Sequence, residues 1–419
     1  MKSGKKLLKI LGPGITTGAA DDDPSGIATY SQTGAQFGYG QLWTAFFILP
    51  LLIAIQELCA RIGAVTGIGL AGIVKQNSSK TILYIVVSLI FIANTINIGA
   101  DLGAMAAALH LLVPINFLIL VIFFSVLILA AQVFLVYTVI ANILRWLCLF
   151  LFAYPLTLII IQAPWIDIIK ATFVPHIEFS FEFLFILTGV FGTTISPYLF
   201  FWEASQEVEE KNNHKKVKKN LPKRIWNIRI DNAIGMLASQ LTAWAIIAVT
   251  ATVLHNNGIK DIKTAADAAK ALEPFVHGFP HAGYIAQFIF AIGIIGLGFL
   301  AVPVLAGSAA YALGEAFNWR VGLNLKLKKG YAFYGVITIA TILGSVINFF
   351  GFNPMKALVY SAVLNGIIAV PLIFVIARIG NNKQIMGKYQ SGKLSNGFVW
   401  LTFFGMLGAV LGLIATNYH

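Results

Sequence analysis

Long uninterrupted apolar stretches recur along the whole chain. They fall at roughly 12–39, 42–73, 81–112, 115–138, 140–163, 181–209, 226–254, 283–316, 331–351, 355–377 and 397–417. A helix needs about 20 apolar residues to cross the hydrocarbon core of a bilayer, and each stretch can supply them. The pattern predicts an all-α polytopic membrane protein of about eleven transmembrane helices. Spans four and five almost run together near Val139. A membrane β-barrel is excluded, because its strands alternate lipid-facing apolar with lumen-facing polar residues. The run Phe117-Leu-Ile-Leu-Val-Ile-Phe-Phe124 does not alternate.

Segments one and six share an interruption. The first carries Asp21-Asp22-Asp23-Pro24-Ser25-Gly26 in its middle and the second Thr193-Thr194-Ile195-Ser196-Pro197-Tyr198. They stand five spans apart, an odd number, so the second copy would enter the membrane upside down. This predicts two inverted five-helix halves, spans 1–5 within residues 1–163 and spans 6–10 within 181–377. Span 11, within 397–419, is then peripheral to a single transport domain. Two broken helices at matching places in inverted halves point to the binding site of a secondary transporter.

Composition agrees. The chain has 419 residues, 58% hydrophobic and only 11% charged, where soluble domains carry roughly 25% charged residues. That excludes a soluble enzyme and a disordered chain. The two cysteines, Cys59 and Cys148, lie in apolar stretches and support neither a disulfide framework nor a cysteine zinc site. The net charge of +12 has a topological explanation. Of the 29 Lys and Arg, all but Lys170, Lys260, Lys263, Lys270 and Lys356 fall on one side of the predicted spans. Basic loops stay in the cytoplasm, so the N-terminus is expected inside and the C-terminus outside a cell membrane. Nucleic acid is not needed to explain the charge, and the lipid bilayer is the expected partner. No cleavage site follows the basic Met1–Ile10, so span one is expected to serve as an uncleaved insertion signal. No phosphate-cradling loop and no nucleophile–base pair are present, which argues against an ATP-driven pump and a membrane enzyme. No cofactor is expected. His277 and His281 have i, i+4 spacing but fall in a loop rich in Pro and Gly, a poor metal site.

The triple aspartate carries the strongest chemical signal. Each carboxylate facing lipid at mid-span would cost about 2.5–3.5 kcal/mol on insertion scales. Consecutive helical residues point about 100° apart, so a straight helix could not hide all three. Pro24 removes a backbone donor and disfavours helix at Asp23, and Gly26 permits unwinding. The helix is expected to open here and free carbonyl oxygens beside the carboxylates. That is a hard-oxygen site for a divalent cation. Negative charge at the break argues against an anionic substrate.

These residues resemble those of the NRAMP divalent-metal transporters. Gly12-Pro-Gly14 and Asp23-Pro-Ser-Gly26 are similar to the family's first span, where the motif is Asp-Pro-Gly-Asn. Gln56-Glu-Leu-Cys-Ala-Arg61-Ile-Gly-Ala-Val-Thr66-Gly67, Ala100-Asp101-Leu102, Pro371 and Ile385-Met386-Gly387 follow in the family's order. The resemblance implies a LeuT-like 5+5 inverted repeat with broken helices one and six, alternating access, and a divalent metal as cargo. It places Asp23 as the charged ligand and Thr193 as a carbonyl ligand.

The departures from that pattern shape the expectation. Gly26 stands where the family has Asn, and Ser196-Pro197-Tyr198 stands where it has Met-Pro-His. A thioether favours softer metals. Magnesium keeps several of its waters, so a roomier all-oxygen pocket suits it. The chain in this respect looks like the NRAMP-related magnesium transporter branch, which implies Mg2+ and Mn2+ as transported substrates. Ser196 and Gly26 would line space for water. Which of Asp21 and Asp22 approaches the ion stays open, with the other drawing cations electrostatically from a vestibule.

Further polar residues fall on the same paths. Asn94, Asn97 and Asp101 are spaced i, i+3, i+7 on one helical face, expected to face the bundle interior. Position 104, where the family carries a Glu on its proton route, is Ala, and Tyr198 replaces the family's His. The route's ninth-span arginines are not evident in Tyr331–Phe350. Transport without proton coupling is therefore expected. Glu203 and Glu207 are expected at the inner exit, Glu57, Asp231 and Glu315 in ion pairs near cytoplasmic helix ends, and Asn365 as a polar contact in span ten. The rival readings are a proton-coupled manganese/iron importer of the same fold, and a divalent-cation channel or metal-binding membrane receptor.

Overall fold

A computed structural model of the chain describes residues 18, 21–134, 152–213 and 221–417. The described helices are α1 (Pro24–Phe37), α2 (Trp43–Thr66), α3 (Leu70–Asn77), α4 (Lys80–His110), α5 (Phe117–Phe134), α6 (Ala153–Ile160), α7 (Trp165–Phe173), α8 (Phe181–Thr194), α9 (Pro197–Asn213), α10 (Leu221–Val253), α11 (Ala265–Ala269), α12 (Ala282–Ala316), α13 (Tyr331–Ile347), α14 (Pro354–Gly380), α15 (Lys383–Met386) and α16 (Lys393–Thr416). Among the described residues, nine helical segments are long and apolar enough to cross a membrane, with α8 and α9 counted as one. The first and fifth expected spans are represented by Gly18, Asp21 and α1, and by α6. Gly12–Gly14, Cys148 and the Lys215–Lys219 run lie outside the described residues.

Each break sits immediately before a proline. Asp22 and Asp23 leave the helical path ahead of Pro24, and Ile195 and Ser196 do so ahead of Pro197. Proline is tolerated in the first turn of a helix, where its missing N–H has no intrahelical partner. Each proline therefore starts a new helix where it could not have continued an old one.

Packing follows the inverted repeat. The second half of span one, α1, packs on α10 (span seven), and the second half of span six, α9, packs on α2 (span two). Exchanging each span for its counterpart five places on turns the first pair into the second. The pair α4 and α12, spans three and eight, is its own counterpart and packs along most of its length. The peripheral α16 leans on α14, α8 and α2. Several close approaches bring backbones together through glycine, and two of them stand next to the breaks. Gly18 lies against Gly235 of α10, where an added Cβ would meet the Gly235 backbone at 2.6 Å. Gly192 of α8 lies against the backbone of Ala362 and Gly366 in α14. The outer faces carry exposed apolar side chains such as Ile122, Phe123, Ile342 and Phe404, as helices in lipid do.

Polar contacts close both ends. At the end where the basic loops gather, Glu57 accepts from Arg61 Nε at 3.1 Å and Arg229 Nε at 3.0 Å. Arg61 also donates to the Tyr389 carbonyl at 2.6 Å, and Glu207 pairs with Arg224 at 2.5 Å. Glu57 is thus ion-paired as expected. Glu315 is not: its partners among the described residues are the Gly72 N–H at 3.0 Å and the Ser205 hydroxyl at 3.3 Å. It accepts an amide in the first turn of the short α3, while Lys75 of the same helix donates to the Ala316 carbonyl at 2.6 Å. At the opposite end, Gln32 bonds both the Lys260 carbonyl and the Ile262 N–H. In that connection Thr264 and Asp267 form a capping box at the start of α11. Burial raises the Asp267 carboxyl, but the bonds from Lys270 and Thr264 outweigh it and hold it below the usual carboxylate value.

Candidate metal site at the paired helix breaks

Asp23 is the residue on which the two breaks meet. Its backbone is extended, at φ −68° and ψ 171°, and its side chain caps α1. Oδ1 accepts the Gly26 N–H at 2.8 Å and the Ser25 hydroxyl at 2.6 Å. An aspartate in this place satisfies amide groups that have no intrahelical partner and sits at the positive end of the helix dipole. Oδ2 accepts the phenol of Tyr198, in the first turn of α9, at 3.2 Å. The Tyr198 carbonyl in turn accepts from Ser308 of α12 at 2.8 Å. The breaks are joined twice more: the hydroxyls of Ser25 and Thr193 lie 3.1 Å apart, and those of Tyr30 and Thr194 lie 2.8 Å apart. A Cβ on Gly26 would stand 3.3 Å from both Thr193 Oγ1 and the Tyr30 ring, so glycine lets the two broken strands close.

Ser196 turns back on its own chain, donating to the Thr193 carbonyl at 2.5 Å and standing 3.0 Å from the Gly192 carbonyl. The Thr193 carbonyl therefore carries one hydrogen bond and keeps a second lone pair.

Asp21 and Asp22 face α10. The Ser239 hydroxyl lies 2.6 Å from Asp21 Oδ2 and 3.0 Å from Asp22 Oδ1, so one hydrogen serves two carboxylates. Asp21 Oδ1 has no hydrogen-bond partner, and neither oxygen of Asp101 has one. Asp101 on α4 lies near enough to interact electrostatically with Asp23. All four aspartates are buried. None of them forms an ion pair with a basic side chain among the described residues. A buried carboxylate without a counter-charge is costly, and the cost is relieved either by a proton or by a bound cation.

No three His, Cys, Asp or Glu side chains among the described residues converge closely enough to hold a metal between them. The donors that do converge are of another kind: one carboxylate at Asp23, hydroxyls at Ser25, Thr193, Ser196 and Tyr198, and the Thr193 carbonyl. Such a hard-oxygen set with one nearby charge fits an ion that keeps part of its water shell.

The surrounding residues fall as follows. Asn97 and Asn365 exchange amide hydrogen bonds at 2.8 and 3.1 Å, joining α4 to α14. Asn94 donates to the Leu305 carbonyl of α12 at 2.8 Å, so the stripe of Asn94, Asn97 and Asp101 does face the interior. Glu203 is buried, with its Oε1 3.3 Å from Asn232 of α10. It points between helices rather than along an open exit. Ser239 was not singled out by sequence. Its signal is the polar and small face Asn232, Gly235, Ser239, spaced i, i+3, i+7 along α10. Beyond the C-terminal half of α1 lies a cavity of about 390 Å³ lined by Gln32, Gln36, Glu182, Asp261, Lys356 and Tyr360, among others.

Comparison with known proteins agrees with this geometry. The model of the natural resistance-associated macrophage protein-like family, Nramp, matches residues 14–416. The divalent metal cation transporter MntH of Bacillus subtilis (strain 168) is 27% identical, over 98% of this chain and 91% of that protein. The MntH protein of Caldanaerobacter subterraneus subsp. tengcongensis is 26% identical, over 97% of this chain and 93% of that one. Among solved structures, the Eremococcus coleocola manganese transporter in complex with an aromatic bis-isothiourea substituted compound superposes with a TM-score of 0.76 at 18% identity, covering 99% of this chain and 87% of that one. MhsT in complex with L-phenylalanine superposes at 0.61 and 14% identity, covering 96% and 98%. These likenesses show a shared fold. The family match, spanning residues 14–416 and so nearly the whole chain, makes this protein a member of the Nramp family of multi-pass membrane transporters.

Proposed function

We propose that the protein moves divalent metal ions by alternating access, that magnesium and manganese are its cargo, and that no proton is obligatorily coupled to the movement. The observation that carries the reading is the pocket at the breaks: Asp21, Asp22, Asp23 and Asp101 are buried, and their neighbours are hydroxyls and carbonyls rather than cations. A divalent ion supplies the missing positive charge. The absence of a thioether where Ser196 stands removes a ligand that would favour softer metals, and oxygen donors with room for water suit magnesium.

Direction follows from charge. The basic loops put the Glu57–Arg61–Arg229 and Glu207–Arg224 pairs in the cytoplasm, with the N-terminus inside and the C-terminus outside. The cavity lined by Gln32, Glu182, Asp261 and Lys356 then lies on the outer side.

Ala104 and Tyr198 leave the site without the Glu and His at those positions, and this supports uncoupled transport. Uptake of magnesium and of manganese into proteoliposomes with a pH dye inside tests the reading. Saturable uptake of both metals with no matching acidification is the expected result. Proton flux in fixed ratio to the metal would instead assign a proton-coupled manganese or iron importer. A flux far too fast for a conformational cycle would assign a channel.

A further inference from the structure

We propose that the cleft between the start of α4, the end of α14 and α16 binds the headgroup of an anionic phospholipid. The cleft has a volume of about 850 Å³, and its lining includes Asn77, Ser79, Phe374, Arg378, Asn382 and Trp400. Arg378 is exposed, and its guanidinium lies 5.8 Å from the centroid of the Phe374 ring. Among the described residues it has no carboxylate partner. The sequence explains why: no Asp or Glu follows Glu315. Arg378 is the one charged residue among the described residues of the lining; Lys80 and Lys383 adjoin the lining residues Ser79 and Asn382 in sequence, and Lys393 opens α16. The first turn of α4, a helix of 31 residues capped by Ser79, adds N–H groups that have no intrahelical acceptor.

The depth and the walls select a lipid over a free anion. The helices α4, α14 and α16 are each long and apolar enough to cross a membrane, and the cleft lies at their basic end, where headgroups are expected. Its polar floor continues into exposed apolar side chains: Ile82 and Phe374 on the lining itself, with Ile85, Leu401 and Phe404 beyond. A ligand that fits has an anionic head for Arg378 and acyl chains for Ile82 and Phe374. Basic pockets between transmembrane helices on the cytoplasmic side bind such lipids, and arginine suits phosphate through its paired donors. Bound there, a lipid would bridge α4 and α14, the helices that the Asn97–Asn365 pair already joins.

The test is lipid retention by the purified full-length chain from micelles containing equal parts phosphatidylglycerol and phosphatidylcholine, read by native mass spectrometry. Phosphatidylglycerol should be enriched several-fold over phosphatidylcholine. Arg378→Gln should lose most of that enrichment, Arg378→Lys should keep much of it, and Lys329→Gln, in the connection between α12 and α13, should leave it unchanged. Inorganic phosphate should not displace the lipid. If Arg378→Gln is not recovered folded, Lys80→Gln on the same rim carries the comparison. Equal retention of both lipids, unchanged enrichment in Arg378→Gln or Lys80→Gln, or displacement by inorganic phosphate would overturn the proposal.

Discussion

The phenol of Tyr198 donates to Asp23 Oδ2 at 3.2 Å, so a residue in the first turn of α9 completes the coordination of the carboxylate that starts α1. The bond crosses from one broken helix to the other and ties the two halves of the repeat at the point where the ion is proposed to sit. Tyr198→Phe removes the donor and leaves that oxygen unsatisfied, a change worth about 1–3 kcal/mol for a buried group. Tyr198→His does something different, because histidine titrates near pH 6.5. The pH profile of metal uptake by the histidine variant should therefore differ from that of the native protein. Identical pH profiles would mean that position 198 does not face the ion.

Asp23 has two tasks, and two substitutions separate them. Asp23→Asn keeps a side-chain oxygen to cap the Gly26 N–H and removes the charge; Asp23→Ala removes both. Losing an N-cap costs about 1 kcal/mol, so the alanine variant should melt lower than the asparagine variant. Both should fail to transport magnesium and manganese. Substantial uptake by Asp23→Asn would displace Asp23 from the site.

Selectivity turns on Ser196. Ser196→Met replaces a hydroxyl that bonds the Thr193 carbonyl with a larger thioether. Magnesium uptake should fall, manganese should be spared more, and cadmium should compete better. Gly26→Asn should push the same way, although the 3.3 Å approach of Thr193 and Tyr30 requires those side chains to yield. Competition assays with the three metals give the ratios, and an unchanged magnesium-to-cadmium ratio would sink the hard-site argument.

Ser239 offers a test that does not depend on flux. Its hydroxyl serves Asp21 and Asp22 together, so Ser239→Ala should destabilise the metal-free protein by about 1–3 kcal/mol. If a divalent ion offsets the same negative charge, magnesium should raise the variant's melting temperature more than the native protein's. Equal shifts would separate Asp21 and Asp22 from the ion.

The reciprocal bonds of Asn97 and Asn365 predict non-additivity. Either single alanine change leaves the partner amide buried and unsatisfied, whereas the double change removes both groups. The double variant should therefore lose less stability than the sum of the singles, by about 1–2 kcal/mol in a thermal or denaturant cycle. Simple additivity would mean the pair is not formed in the membrane.

Much of this architecture is legible in the sequence because lipid imposes strict rules. Long apolar runs cannot be loops, and a proline beside three aspartates cannot sit in a continuous lipid-facing helix. The breaks at Asp22–Asp23 and Ile195–Ser196 were therefore readable to within a residue or two. Asp23 was readable as their chemical centre. What was not legible depends on distances between helices. Ser239 carries no charge, and a lone serine in a span resembles any packing residue until Asp21 and Asp22 are brought against it. Glu315 looked like an ion-pair partner because it stands near a predicted cytoplasmic helix end, and only the packing of α3 on α12 shows that the Gly72 N–H reaches it. The tie from Tyr198 to Asp23 needed both backbones in place, since 175 residues separate the two.

The bare backbone crossings next to the breaks, Gly18 on Gly235 and Gly192 against Ala362 and Gly366, bear on how such a molecule would swing. Each stands within a turn or so of a break, Gly18 just ahead of Asp22 and Gly192 just ahead of Ile195. Interlocked side chains would act as cogs and resist rotation at these points; glycine leaves smooth bearings. A lever turning on either bearing moves its distant tip farthest and its fulcrum least. The pocket around Asp23 lies beside both fulcrums, so a swing about them would move the two faces of the membrane most and this pocket least.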